Sequence, residues 1–183
     1  MSRQLPTDLS GKLLIAHPSL RDPNFRRCIL ILSNHSREDG AFGLVINRPT
    51  AHVLTDFLAD RTPALDRVAV YQGGPVGTNE LTLVAFFQEP DSKNYLCRTH
   101  LTLDEAAELV SAGEGLVRAY RGYAGWSPGQ LESEIGQNAW FIGKPSRELV
   151  EQDLNETNWV KVVSELGPIY HLWALAPDDP SLN

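Results

Sequence analysis

The apolar positions of this chain fall in short blocks separated by clusters of Gly, Pro, Asn and Asp. That pattern predicts strands and brief helices rather than long helical runs. The run Lys12-Leu13-Leu14-Ile15-Ala16 lies between Gly11 and Pro18 and reads as a strand. A polar loop follows over 17–24. The run Cys28-Ile29-Leu30-Ile31-Leu32 is continuous and rich in branched residues, as expected of a strand buried on both faces. A turn cluster over 34–40, ending in Asp39-Gly40, leads into Phe42-Gly43-Leu44-Val45-Ile46, so the two runs predict an antiparallel hairpin.

Val53, Leu54, Phe57 and Leu58 recur at helical spacing and predict a helix over 52–60. Strands are expected over 68–71, 81–87, 116–120 and 139–142. Residues 90–94 read as a turn across which 95–97 pairs back. Thr102 and Glu105 form a capping box, each side chain meeting an orphan amide of the first helical turn. Leu103, Ala106, Ala107 and Val110 then give one apolar stripe, and Gly113 stops the helix. Ser127-Pro128-Gly129-Gln130 predicts a second helix start, with Ser127 as cap and Pro128 at the first helical position. Leu131 and Ile135 form its inward edge. Trp159, Val162, Val163 and Leu166 mark a last helix, stopped by Gly167-Pro168.

Hairpin-like strand pairs mixed with single helices, without strict strand–helix alternation, predict an α+β (mixed α/β) fold. Its sheet is expected to be mixed and largely antiparallel, with several short helices packed on it. No repeat or linker divides the 183 residues, so one domain spanning 1–183 is expected.

A formal net charge of −7, with 16 basic residues spread along the chain, disfavours binding to a phosphate backbone. The two cysteines, Cys28 and Cys97, form no CxxC pair, and the five histidines show no metal-ligand spacing. No metal or cofactor is expected. The opening residues carry no signal-peptide apolar region, and no run approaches the roughly 20 apolar residues of a membrane span, which makes the cytoplasm the expected location.

Polar residues gather in four segments. In the first, Asp22-Pro23-Asn24-Phe25-Arg26-Arg27, a stiff loop carries guanidinium groups suited to a carboxylate or phosphate, and Asp22 is also a turn former. Next, Asn47-Arg48 ends a strand before Pro49 and serves either as a ligand-facing terminus or as a turn cap. Gly73-Gly74 can turn backbone amides toward an anion or simply make a tight turn; no P-loop or dinucleotide signature accompanies it. Last, Ser127, Gln130 and Glu132 cluster at a helix start whose free amides favour negative charge, or whose acids merely stabilise the first turn.

In order, Gly11-Lys12-Leu13-Leu14-Ile15-Ala16-His17-Pro18, Asp22-Pro23-Asn24-Phe25-Arg26-Arg27, Gly40-Ala41-Phe42-Gly43-Leu44-Val45-Ile46-Asn47-Arg48-Pro49, Gly73-Gly74-Pro75-Val76, Gly122-Tyr123-Ala124-Gly125-Trp126 and Pro128-Gly129-Gln130-Leu131-Glu132 resemble the AlgH/YqgE-like family of bacterial proteins. The closing Ala176-Pro177-Asp178-Asp179-Pro180-Ser181-Leu182-Asn183 joins that set. The resemblance implies a mixed α/β fold and, through the AlgH name, a link to the regulation of exopolysaccharide genes. It supplies no catalytic residues.

The functional expectation is a binding or regulatory domain with an anion-friendly surface site built from Asp22, Asn24, Arg26, Asn47, Arg48, Gly73, Gly74, Ser127, Gln130 and Glu132. Its partner would be an anionic small molecule or another protein. One alternative is a hydrolase or transferase with Glu132 or Glu134 as base and glycine-turn amides as oxyanion donors. Another is a nucleic-acid-associated regulator with a basic face. No GxSxG, HExxH or other reaction template is complete.

Overall fold

The computed structural model describes residues 8–90 and 95–176. Nine strands form one sheet: β1 (Leu13–Ala16), β2 (Ile29–Ser36), β3 (Gly40–Val45), β4 (Pro49–Val53), β5 (Ala69–Gln72), β6 (Val76–Gln88), β7 (Tyr95–Thr99), β8 (Leu116–Trp126) and β9 (Trp140–Gly143). Among the described residues five α-helices accompany them: α1 (Leu103–Ala112), α2 (Gln130–Gly136), α3 (Arg147–Val150), α4 (Glu156–Ser164) and α5 (Pro168–Leu175).

The sheet runs β4-β5-β8-β3-β2-β1-β9, with β6 joining β8 and β7 joining β6. Every pairing is antiparallel except β5 with β8. The α+β, largely antiparallel expectation is met. The sheet curls back on itself until β7 reaches β2 and the exit of β9. There the hydroxyls of Ser33 and Thr99 lie 2.6 Å apart, and Tyr95 N donates to Pro145 O at 2.9 Å.

Alternation along the long central strands divides the core in two, as the period-2 geometry of a strand dictates. Val117 and Ala119 of β8, Leu83 and Ala85 of β6 and Val70 of β5 pack beneath α1 with Leu54, Leu65 and Ala106. Tyr120, Val84, Phe86 and Tyr71 face the other way, into the larger core with β1–β3, Trp126, Trp140 and Trp159. Arg118 is buried on that second side and ties α3 to the sheet: its Nη2 donates to Val150 O (2.8 Å) and Gln152 O (2.7 Å), and its guanidinium lies between the rings of Tyr71 and Phe86.

The β2–β3 hairpin, the α1 capping box and the left-handed Gly113 cap all form as the sequence predicts. Tyr95–Thr99 pairs back on β6. The turn expected at 90–94 lies, beyond Pro90, outside the described residues, as do residues 177–183 of the closing motif.

Three expectations need correction. Of the helix expected over 52–60, only a single 3-10 turn at Leu54–Phe57 forms, and residues 52–53 end the strand β4. Pairing with β5 (Pro49 opposite Tyr71, Val53 opposite Ala69) and a bond from Thr50 Oγ1 to Val70 O recruit the segment into the sheet over its helical spacing. Ser127 does not cap α2; Gly129, in the left-handed region at φ 75°, holds the N-cap position. Gln130 Oε1 still accepts from Ser127 N at 3.1 Å, as the side chain three residues after a cap does in a capping box. Finally, α4 ends at Ser164, short of Leu166, and Gly167-Pro168 starts a further helix, α5, with Pro168 in the first turn, where its missing amide costs nothing.

Candidate functional site

The loop between β1 and β2 carries its own scaffolding. Asp22 Oδ1 accepts from Asn24 N at 2.7 Å, and Asp22 O accepts from Phe25 N and Arg26 N. The Asp22 carboxylate is thus a turn element, and Asn24 is exposed at the turn's apex. Asn47 is fully buried and spends its whole amide on backbone: Oδ1 accepts from Ile29 N (2.8 Å), while Nδ2 donates to Arg27 O (3.0 Å) and Asn155 O (3.4 Å). It staples the loop, the end of β3 and the start of α4. Arg48 Nη2 reaches Arg26 O at 3.3 Å. The first two candidate segments are therefore neighbours, as the single-site expectation requires.

Gly73 and Gly74 serve close packing. Gly73 N donates to Arg121 O, and Gly73 O accepts from Val45 N, both at 2.7 Å. A Cβ on Gly73 would lie 2.3 Å from Gly122 O, and one on Gly74 only 2.1 Å from the Tyr123 carbonyl carbon. The glycines let two backbones touch; the Gly73 amide is already engaged within the sheet.

Ser127, Gln130 and Glu132 belong to a different cluster. Trp126 Nε1 (2.9 Å) and Trp140 Nε1 (2.8 Å) both donate to Glu134 Oε2, and Gln130 Nε2 donates to Glu134 Oε1 at 2.9 Å. Glu132 Oε1 lies 3.1 Å from Nε2 of the buried His35. Because Leu9 N donates to His35 Nδ1, the neutral imidazole carries its proton on Nε2 and donates to Glu132. Both carboxylates of the hydrolase alternative thus have structural partners. Phe25 packs against Trp126 and Trp140, so this cluster backs onto the arginine loop.

The loop's outer side opens on a cavity of about 170 Å³. Arg21, Arg26 and Arg27 line it on the loop side, with His17, Pro18 and Leu20. Trp159 of α4, Trp173 of α5 and Ala176 close the other side. Arg27 has a left-handed backbone (φ 54°); its Nη2 donates to Ala176 O at 2.9 Å, and its guanidinium sits 5.7 Å from the Trp159 ring centre. Trp159 is itself fixed by an Nε1 bond to Ala16 O at 2.8 Å. The His17 ring packs among Phe141, Tyr170 and Trp173, and its Nδ1 lies 2.7 Å from Ser19 Oγ. Burial holds the His17 imidazole below its ordinary value of 6.5.

Of the ten candidates, only Arg26 lines this cavity; Asp22, Asn24, Asn47 and Arg48 shape its loop, and Gly73, Gly74, Ser127, Gln130 and Glu132 do not line it. His17, Arg21, Trp159 and Trp173 are the residues the sequence reasoning missed. The signal for Trp173 was the spacing of Ile169, Leu172, Trp173 and Ala176 behind a Pro168 start.

Among the described residues no His/Cys/Asp/Glu group is arranged to hold a metal ion, and no helix is long and apolar enough to cross a membrane. Burial pushes the Cys97 thiol up to about 11 and the Cys28 thiol higher still, which makes both poor nucleophiles.

The model of the AlgH-like family (DUF179) matches residues 13–171, the whole span from β1 into α5. The chain belongs to the AlgH-like family. Among its relatives, the UPF0301 protein SCO2948 of Streptomyces coelicolor is 36% identical over 187 residues, covering 97% of this chain and 96% of the relative. The UPF0301 protein BF2109 of Bacteroides fragilis is 31% identical, covering 94% and 90%. The solution structure of the AlgH protein from Pseudomonas aeruginosa superimposes with a TM-score of 0.65 at 30% identity, covering 97% of this AlgH-like chain and 98% of that one. The crystal structure of DIP2367 from Corynebacterium diphtheriae gives a TM-score of 0.71 at 21% identity, covering 96% and 95%, a likeness of fold.

Proposed function

We propose that this chain is a cytoplasmic binding domain that takes the anionic group of a small molecule in the arginine-lined cavity, and that it acts by regulation rather than catalysis. The observation that carries the reading is the convergence of Arg21, Arg26 and Arg27 on one cavity of about 170 Å³ walled by Trp159 and Trp173. Guanidinium groups present a planar fork of donors matched to carboxylate and phosphate, and tryptophan faces suit the ligand's apolar body. The volume is close to that of an engineered cavity of about 150 Å³ that accepts benzene, so the group taken inside is small.

Two further observations support binding over chemistry. Glu132 and Glu134, the best acid–base candidates in the sequence, are engaged with His35, Trp126, Trp140 and Gln130. The net charge of −7 favours a small anion or a protein over a nucleic acid, whose long phosphate array would meet the acidic remainder of the surface. The regulatory half of the reading comes through the family name.

Calorimetric titration with inorganic phosphate, methyl phosphate and acetate tests the proposal. Saturable one-to-one binding that falls at least tenfold in an Arg21→Ala/Arg26→Ala double variant is the expected result. Absence of binding by all three anions at millimolar concentration rules the reading out.

A further inference from the structure

Helix α5 contains no Asp, Glu, Lys or Arg, yet it exposes Ile169, Leu172, Trp173 and Leu175 by amounts from 47% at Trp173 to 67% at Leu172. Its inward face is already provided by Ala174, which is buried, and by Tyr170, which packs on Phe141 and His17. Ile169, Leu172 and Leu175 are therefore surplus to the helix's own packing, while Trp173 meets the His17 and Tyr170 rings with its covered part. A patch of large apolar side chains left to water marks a contact surface.

The position of that patch decides what it fits. Residues 169, 172, 173 and 176 share one helical stripe, at spacings of three and four. Trp173 and Ala176, at the end of the stripe, line the cavity that holds Arg21, Arg26 and Arg27. An apolar track of about 10 Å, the axial rise of seven helical residues, thus leads into a cationic cavity. We infer that the natural ligand is a soluble anionic amphiphile: a carboxylate or phosphate head held by the arginines, with an alkyl or aryl body lying along Trp173, Leu172 and Ile169. The inference rests on the anion-binding reading above and adds the chemical class of the ligand. An anionic bilayer fits less well than a free molecule, because the whole chain carries a net charge of −7.

The experiment compares methyl phosphate, octyl phosphate and octanol by calorimetry on the full chain, with octyl phosphate kept below its aggregation concentration. Octyl phosphate is expected to bind at least tenfold more tightly than methyl phosphate, and octanol more weakly than octyl phosphate by a similar factor. Ile169→Ser is expected to reduce octyl phosphate affinity severalfold, whereas Leu96→Ser, an exposed leucine on β7 outside the cavity lining, leaves it unchanged.

Methyl and octyl phosphate binding equally overturns the amphiphile inference and leaves anion binding standing. Neither phosphate binding overturns both. Octanol matching octyl phosphate overturns the role of the charged head. Sedimentation of the ligand-free chain as a dimer that Ile169→Glu dissociates assigns the helix face to a second copy and overturns the inference. Uptake by phosphatidylglycerol vesicles without binding of monomeric octyl phosphate overturns it in favour of a bilayer.

Discussion

Arg27 donates through Nη2 to the carbonyl oxygen of Ala176 at 2.9 Å, closing a contact across 149 residues of sequence. The bond joins the loop before β2 to the end of α5, and the Trp159 ring beneath the same guanidinium adds a cation–π contact. A short helix at the edge of a fold is held by such ties or opens locally. Arg27→Ala is therefore expected to speed amide hydrogen exchange in α5 at least tenfold, while exchange in β2 and β8 changes little. Equal acceleration throughout the sheet would mean that Arg27 supports global stability rather than the docking of one helix.

Glu134 holds two tryptophans. Both indole N–H groups, on residues almost wholly buried, converge on its Oε2. Glu134→Ala leaves two buried donors unmatched and is expected to cost about 2–6 kcal/mol in denaturant unfolding, at roughly 1–3 kcal/mol per orphaned group. Gln130→Ala, which removes one exposed bond to the same carboxylate, is expected to cost below about 1 kcal/mol. A Glu134→Ala cost as small as that of Gln130→Ala would show that water replaces the carboxylate freely.

The contrast between these clusters marks what the sequence can reveal. Leu13–Ala16, the β2–β3 hairpin and the Thr102–Glu105 box were readable because their signals are local: apolar runs, a turn and a cap three residues apart. The arginine loop was readable as a charged strand end. Glu134's meeting with Trp126 and Trp140 was not, since their convergence depends on where β8 and β9 lie in the sheet. Gly122 to Trp126, which carries part of the family resemblance, is the second half of β8. Gly122 and the glycines at 73–74 mark close backbone contact, a pressure that composition does not distinguish from phosphate binding. The second wall of the cavity was missed because Gly167-Pro168 reads equally as an end and as a beginning.

Glycine roles can be separated by substitution. Gly74→Ala drives a Cβ to 2.1 Å from the Tyr123 backbone, which can yield only by parting β8 from the turn before β6. A cost of at least about 3 kcal/mol, or failure to fold, is expected. Gly136→Ala meets no atom within 4 Å and lies in the last turn of α2, so a gain of up to about 1 kcal/mol is expected. Thermal unfolding of the two variants checks both signs; a well-tolerated Gly74→Ala would mean that the turn is free to shift.

His17 links acidity to stability. Partial burial among Phe141, Tyr170 and Trp173 lowers its pKa in the folded chain below 6.5. Above pH 6.5 the ring is mostly neutral in both states, and the folded chain loses nothing. As the pH falls below 6.5 the unfolded chain takes up the proton first, so stability declines until the folded-state pKa is passed. Carboxylates such as Asp8 and Glu105, whose folded pKa values lie below their ordinary ones, add a separate loss nearer pH 4. Comparing the native chain with His17→Met cancels that part. Urea unfolding at pH 7.5, 6.5 and 5.5 is expected to give a flatter profile for the variant, with the difference confined to the two lower values. Parallel profiles would mean that the His17 ring gains a partner for its charged form in the cavity, offsetting the burial that disfavours protonation.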